Sequence, residues 1–260
     1  MSTTAPSATA THEVLNQPPP LAGRNLFEDH AALQEGLERE GAGWARDRVR
    51  AAGAFWGGEP MQWGAQANEH PPVLHTHDRY GHRLDEVEFH PAWHALMRAG
   101  VEHELHALPW RRPRRGAHVA RAATYLCSAQ AEAGFGCPIT MTFAAVPALR
   151  AEPELADRWT PLLTATTYDP RLRAADEKGS ALCGMAMTEK QGGSDVRANT
   201  TRAWPATTAG GRSPGTSGSA ARRCATCSSS WRRPRTASPA SRCRACCPTG
   251  RATRASSSSA

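Results

Sequence analysis

The 260 residues carry 31 Lys+Arg against 24 Asp+Glu, a formal net charge of +7, yet this sum hides two unlike stretches. Residues 1–203 hold 21 basic and 24 acidic side chains, a net of −3, whereas residues 204–260 hold 10 arginines, no acid, and no Leu, Ile, Val, Met or Phe. No apolar run approaches the roughly 18–20 residues of a membrane helix, and Met1–Ala10 lacks the apolar segment of a secretory signal, so the expectation is a cytoplasmic protein with no membrane partner.

The first predicted helices lie in Asp29–Gly41 and Gly43–Phe55, joined onward by the Gly/Pro-rich connections Gly57–Pro60 and His70–Pro72. His90-Pro91 opens the clearest one, because proline in a first turn lacks only an N–H that has no helical partner anyway. Trp93, Leu96, Met97, Val101, Leu105 and Leu108 then recur at spacings of three and four, and Pro109 is expected to stop the helix. A further helix is predicted over Ala117–Ala133, with Val119, Ala122, Leu126, Ala129 and Ala133 on its apolar face. Another spans Pro138–Leu149, with Pro147 a potential kink, and one begins near Glu154 carrying Leu155, Trp159, Leu162 and Leu163. Helices in succession without intervening strands predict a bundle.

The pattern changes after Lys178. Ala181–Met187 is an apolar run of strand length, Thr188–Asp195 a polar loop with paired glycines, and Val196–Ala203 a second predicted strand. The fold class is therefore α+β. Residues 1–11 read as a disordered N-terminus, 12–178 as a helical domain, 179–203 as the start of a β-domain and 204–260 as a disordered, low-complexity basic tail.

The loop is the first place to expect a ligand. Gly192-Gly193 permits close approach and free turning of the main chain, Thr188 and Ser194 bring hydroxyls, and loop N–H groups can receive phosphate or ring oxygens; the alternative is an ordinary turn. All 11 histidines lie between His12 and His118. His90 and His94, or His103 and His106, have helical spacing, but no HExxH motif accompanies them, and surface or packing roles are expected rather than a metal. Cys224-x-x-Cys227 and Cys243-x-x-Cys246 have the spacing of a zinc ribbon, but the Ser/Arg/Pro/Ala sequence between them offers no strand. Cys127 and Cys137 are expected to be buried structural thiols.

The stretch Gly184-Met-Ala-Met-Thr-Glu-Lys-Gln-Gly-Gly-Ser-Asp-Val196, continuing to Arg202, resembles the flavin-binding segment of the acyl-CoA dehydrogenase superfamily, and in particular its DNA alkylation-response (AidB-type) branch. Asn16–Leu21, Arg39–Trp44, Phe89–His94 and Cys137–Phe143 agree with it. The likeness runs from about His12 to Ala203. It implies an acyl-CoA dehydrogenase-type N-terminal helical domain, a central β-domain and a C-terminal helical domain, with FAD held between them. It also implies a homo-oligomer in the intact family, an acyl-CoA-like substrate and DNA affinity. By resemblance Met185, Ala186, Met187, Thr188, Gln191, Gly192, Gly193 and Ser194 contact FAD. Met187 and Thr188 would lie along the isoalloxazine, and Gly193 and Ser194 near the pyrophosphate. Lys190-Gln191 stands where most of the superfamily has proline, which argues against ordinary fatty acyl-CoA turnover. The carboxylate base belongs to the C-terminal domain, so no catalytic residue is assigned here. The tail departs from the family pattern. Codons compatible with Cys224–Ser241 read, in a shifted frame, as strand, turn and strand, which predicts a frameshift close to Ala203, a truncated family member, and weak or absent FAD binding. The alternative is a non-catalytic protein that binds nucleic acid through its basic tail or serves only in assembly.

Overall fold

The computed structural model describes Thr11, residues 15–19 and 21–201, and the backbone of residues 227–229. Eight α-helices occur among the described residues. The first, α1 (Ala31–Arg39), is capped by His30, whose Nδ1 accepts from the Leu33 N–H at 3.2 Å. A 3₁₀ turn at Gly43–Ala45 leads into α2 (Arg46–Trp56). Then comes α3 (Pro60–Glu69), opened by proline in its first turn, as is α4 (Pro91–Glu102), where His90 also caps Ala92. After α5 (Leu108–Arg111) follow α6 (Ala117–Ala131), α7 (Gly136–Leu149) and α8 (Pro153–Leu163). Helix α7 runs on through Pro147, which stands in its last turn.

Three sequence expectations need correction. A hairpin interrupts the helices: β1 (Val73–His77) pairs antiparallel with β2 (Arg83–Glu88), with a bulge that places Asp85 at φ +53°. Its residues are mostly exposed, so it carries no buried apolar alternation by which a half-buried strand is recognised. Secondly, Pro109 does not stop α4. The helix ends at Glu102 with a left-handed residue, Glu104 at φ +55°; the Glu104 N–H bonds the Val101 carbonyl and the Leu105 N–H the Gly100 carbonyl. This is a Schellman termination, and Pro109 instead starts α5. Thirdly, α6 buries its small residues. Ala117, Ala120, Ala123, Thr124, Cys127 and Ser128 face inward, whereas Ala122 is exposed and Leu126 is 50% exposed. The small face lets neighbours approach closely: a Cβ on Gly64 of α3 would collide with the Ala131 carbonyl at the end of α6.

Two buried clusters hold the helices. The larger joins Phe27, Leu37, Val49, Trp56, Leu96, Met97, Leu105, Leu108, Cys127, Phe135 and Ile139, with Trp56 stacked on Phe135 at 5.6 Å between ring centroids. Each such side chain contributes about 1.5–3 kcal/mol on burial. The smaller joins Val146, Leu149, Trp159, Leu163, Ala181 and Cys183, and so ties the chain beyond the bundle to α7 and α8. There lies β3 (Cys183–Met185), beside which the backbone of β4 (Cys227–Ser229) runs parallel. No described helix is long and apolar enough to cross a membrane.

Candidate functional site

Strand β3 is fixed on α7 by unusual acceptors. The Cys183 N–H donates to Thr142 Oγ1 at 3.0 Å, and the Thr142 hydroxyl donates onward to the Pro138 carbonyl at 2.8 Å. One residue earlier on the same helix, Met141 Sδ receives the Met185 N–H at 3.2 Å. Upstream, the Ala181 N–H bonds the Leu162 carbonyl of α8 at 3.1 Å. Side chains of the helical layer thus take backbone donors that a neighbouring strand would otherwise receive, and this places Met185 and Ala186 half-buried at the mouth of the loop.

Beyond them the chain comes to the surface. Met187, Thr188, Gln191, Gly192, Gly193 and Ser194 are all exposed, Met187 to 44%. The predicted site residues therefore divide into an anchored strand pair and an open loop edge. Both glycines lack the positive φ that only glycine adopts freely, so free turning is not why they are there. Gly193 is required for close approach: a Cβ there would stand 2.8 Å from Thr188 Cγ2, whereas a Cβ on Gly192 would meet nothing within 4 Å. Among the described residues of the predicted second strand, Val196–Ala198 is instead a 3₁₀ turn, with the Arg197 N–H capped by the Asp195 carboxylate, and residues 199–201 are not strand; residues 202 and 203 lie outside the described residues.

What organises the loop is a residue the sequence reading passed over. Glu189 is buried, and its carboxylate accepts the Thr200 N–H at 2.8 Å, the Thr201 N–H at 2.7 Å and the Thr200 hydroxyl at 3.2 Å, with the Gln191 amide as a further donor. Hydrogen bonding from Thr201 foremost, then from the Thr200 N–H and Gln191, holds the carboxyl down at about 2. Asn199 closes the other side by donating to the Met187 carbonyl at 2.8 Å. The loop is thereby tied to the segment 199–201. A glutamate among Lys, Gln and Gly reads as solvated; the only local sign was the run of threonines eleven and twelve residues on.

The other predicted groups are dispersed. His90 caps α4 and stacks on His70, His94 Nδ1 lies 3.0 Å from the Tyr168 hydroxyl, and His106 Nε2 lies 2.9 Å from the Ala165 carbonyl. Among the described residues no cluster of three His, Cys, Asp or Glu could hold a metal ion. Cys127 is buried, and burial pushes its thiol up to about 11, but Cys137 is exposed at the start of α7, against expectation. The Cys224/Cys227/Cys243/Cys246 pattern and the rest of the basic tail lie outside the described residues, apart from the backbone of 227–229.

The group implied by resemblance can be tested against this geometry. An exposed apolar Met187 beside the Thr188 hydroxyl, and an open approach at Gly192, suit a flat group with polar edges resting on the loop.

A family model described as the adaptive response protein AidB N-terminal domain matches residues 16–170. The chain is 50% identical over 196 residues to the putative acyl-CoA dehydrogenase AidB of Escherichia coli (strain K12), covering 74% of this chain and 36% of that protein. It therefore spans about a third of the curated relative it matches. Among solved structures, the Bd2924 apo-form superposes with a TM-score of 0.68 at 26% identity, over 85% of this chain and 44% of that one. Caenorhabditis elegans ACDH-11 in complex with C11-CoA superposes with a TM-score of 0.61 at 22% identity, over 82% and 37%, a likeness of fold alone. The α+β class, a bundle of acyl-CoA dehydrogenase type followed by a first β-element, stands on these grounds, and the chain belongs to the AidB N-terminal domain family.

Proposed function

We propose that this chain is the N-terminal part of an FAD flavoprotein of the alkylation-response type, an acyl-CoA dehydrogenase-like oxidoreductase, and that its reading frame leaves the family near Ala203. The observation that carries the reading is the loop edge itself: Met187, Thr188 and Gln191–Ser194 exposed together on the loop that follows a strand clamped to α7. FAD, when bound, supplies the hydride acceptor. This chain's own residues would position it. The Thr188 hydroxyl and neighbouring N–H groups would hold the polar edge of the ring, Met185, Ala186 and Met187 its face, and Gly193 and Ser194 the phosphates. Glu189 keeps these donors in place through Thr200 and Thr201.

One wall cannot enclose a dinucleotide, so the 260-residue chain is expected to bind FAD weakly or not at all. An acyl-CoA-like substrate and DNA are expected only of the protein with its downstream domains. The test is a flavin-fluorescence titration of the purified chain beside a version whose frame is restored after resequencing from the Gly193 codon. Tight binding by the restored protein alone supports the proposal. Tight binding by the 260-residue chain overturns the single-wall argument, and no binding by the restored protein overturns the flavin reading.

The charge split favours a second reading, nonspecific nucleic-acid binding through the 10 arginines of residues 204–260. Such affinity falls steeply with salt and disappears when those residues are removed.

A further inference from the structure

Between the end of α8 and the start of β3 the chain makes one excursion, residues 164–180, whose ends are joined. The Ala181 N–H bonds the Leu162 carbonyl at 3.1 Å, and the Asp169 N–H donates to Ser180 Oγ at 3.1 Å. Its far part is organised internally: Arg171 pairs with Asp169 at 2.6 Å, and Lys178 Nζ donates to the Arg171 carbonyl at 2.8 Å. Three side chains from α4, α5 and the turn between them tie the excursion to the bundle. Arg111 Nη1 donates to the Thr164 carbonyl at 3.2 Å, His106 Nε2 lies 2.9 Å from the Ala165 carbonyl, and His94 Nδ1 lies 3.0 Å from the Tyr168 hydroxyl.

His106 is the deepest of the three, 2% exposed, whereas His94 is half-buried and Arg111 exposed. A carbonyl oxygen only accepts, so Nε2 carries the ring hydrogen and Nδ1 is bare in the neutral imidazole. Nδ1 is buried and meets no partner among the described residues. A proton arriving there creates a buried N–H with nothing to receive it, beside a new positive charge. The charged groups facing the ring are Glu104 from the turn before α5, Arg111 from α5 and Arg121 from α6; the excursion presents the Ala165 carbonyl. Glu104 favours the imidazolium, but its carboxylate is already shared by Arg48, Arg111 and Arg112, and Arg111 and Arg121 oppose the added charge. His94 differs, because its partner is a hydroxyl that accepts as readily as it donates, so a protonated His94 keeps its bond.

We infer that His106 is an acid-sensitive latch: neutral, it holds residues 164–180 on the bundle, and protonated, it leaves its pocket and lets that segment open while the helices stay folded. Burial holds the buried ring down at about 4, against about 6.5 for a free imidazole. The open form therefore takes up the proton first, and it gains on the closed form by about tenfold for each pH unit between about 6.5 and 4. The excursion leads into β3, so the latch stands just upstream of the loop Thr188–Asp195, but the inference concerns only the closure of residues 164–180 and does not depend on the flavin reading.

Amide hydrogen exchange of the full chain, followed by NMR from about pH 7 to pH 5 and corrected for the intrinsic pH dependence of exchange, reads this opening. Protection at Asp169 and Ala181 should fall by about 30-fold by pH 5, while Val49 in α2 and Ala123 in α6 keep theirs. His106→Gln retains an N–H for the Ala165 carbonyl and does not titrate, so it should keep Ala181 protected across the range. A flat wild-type profile at Asp169 and Ala181 overturns the inference. So does a fall shared equally by Val49 and Ala123, which is opening of the whole bundle, or a His106→Gln chain that keeps the wild-type slope. The wild-type series decides the matter whether or not the variant folds.

Discussion

Glu104 occupies the left-handed position that ends α4, where glycine is the common residue, and it does so with a carboxylate that is 3% exposed. Three guanidinium groups converge on it: Arg48 Nη1 at 2.8 Å, Arg111 Nε at 2.8 Å and Arg112 Nε at 3.6 Å. Replacing it with glycine relieves a backbone cost of about 1 kcal/mol. It also removes the partner of Arg48, whose side chain is 28% exposed, and breaking a buried pair costs about 3–5 kcal/mol. Arg111 and Arg112 are more open to water and add little. The expected net effect of Glu104→Gly is a loss of about 2–4 kcal/mol, which lowers Tm by roughly 5–15 °C in a domain of this size. Glu104→Ala loses the same carboxylate without the backbone relief and should fall about 1 kcal/mol further. Urea denaturation of wild type and both variants, followed by circular dichroism, reads the order directly. If Glu104→Gly matches wild type, the arginine cluster does not stabilise the fold. If the two variants coincide, the left-handed cost has been misjudged. Adding Arg48→Met to the glycine variant should recover part of the loss by removing the uncompensated charge.

The remaining predictions concern acid, packing and the loop. His106 Nε2 holds the Ala165 carbonyl while Nδ1 is buried without a partner, and burial pushes the imidazole down to about 4. Its folded value lies below the ordinary 6.5 or so, the unfolded chain therefore takes up the proton first, and stability should fall by up to about 3 kcal/mol as pH drops from about 6.5 to 4; a denaturation series across that range should lose this slope in His106→Phe. Glu189 is likewise held low, at about 2, so its contribution is complete above the usual carboxylate range and lost as pH falls through about 2; the Thr200 and Thr201 amides it accepts should be protected from exchange at neutral pH, and Glu189→Gln should remove that protection. Gly64→Ala should cost about 1–3 kcal/mol by forcing α3 from the Ala131 carbonyl, measurable as a drop in denaturation midpoint.

The sequence alone determined where most helices begin, because Pro91 and the spacing of Leu96, Met97 and Val101, and of Leu155, Trp159, Leu162 and Leu163, act through local backbone geometry and periodicity. It also determined the split between an acidic body and an arginine tail, and the loop motif at Met185–Ser194. Tertiary structure decided what distance along the chain conceals. Which face of α6 turns inward was decided by its packing against α2 and the other helices around it, so small residues were buried and Leu126 left exposed. The hairpin was hidden because its residues lie exposed, without the buried alternation that marks a half-buried strand. Glu189 was hidden because a carboxylate in a polar loop reads as solvated until the chain returns eleven residues later with two backbone N–H groups. Local signals specify elements; only folding brings together the donors and acceptors that give a charged side chain its role.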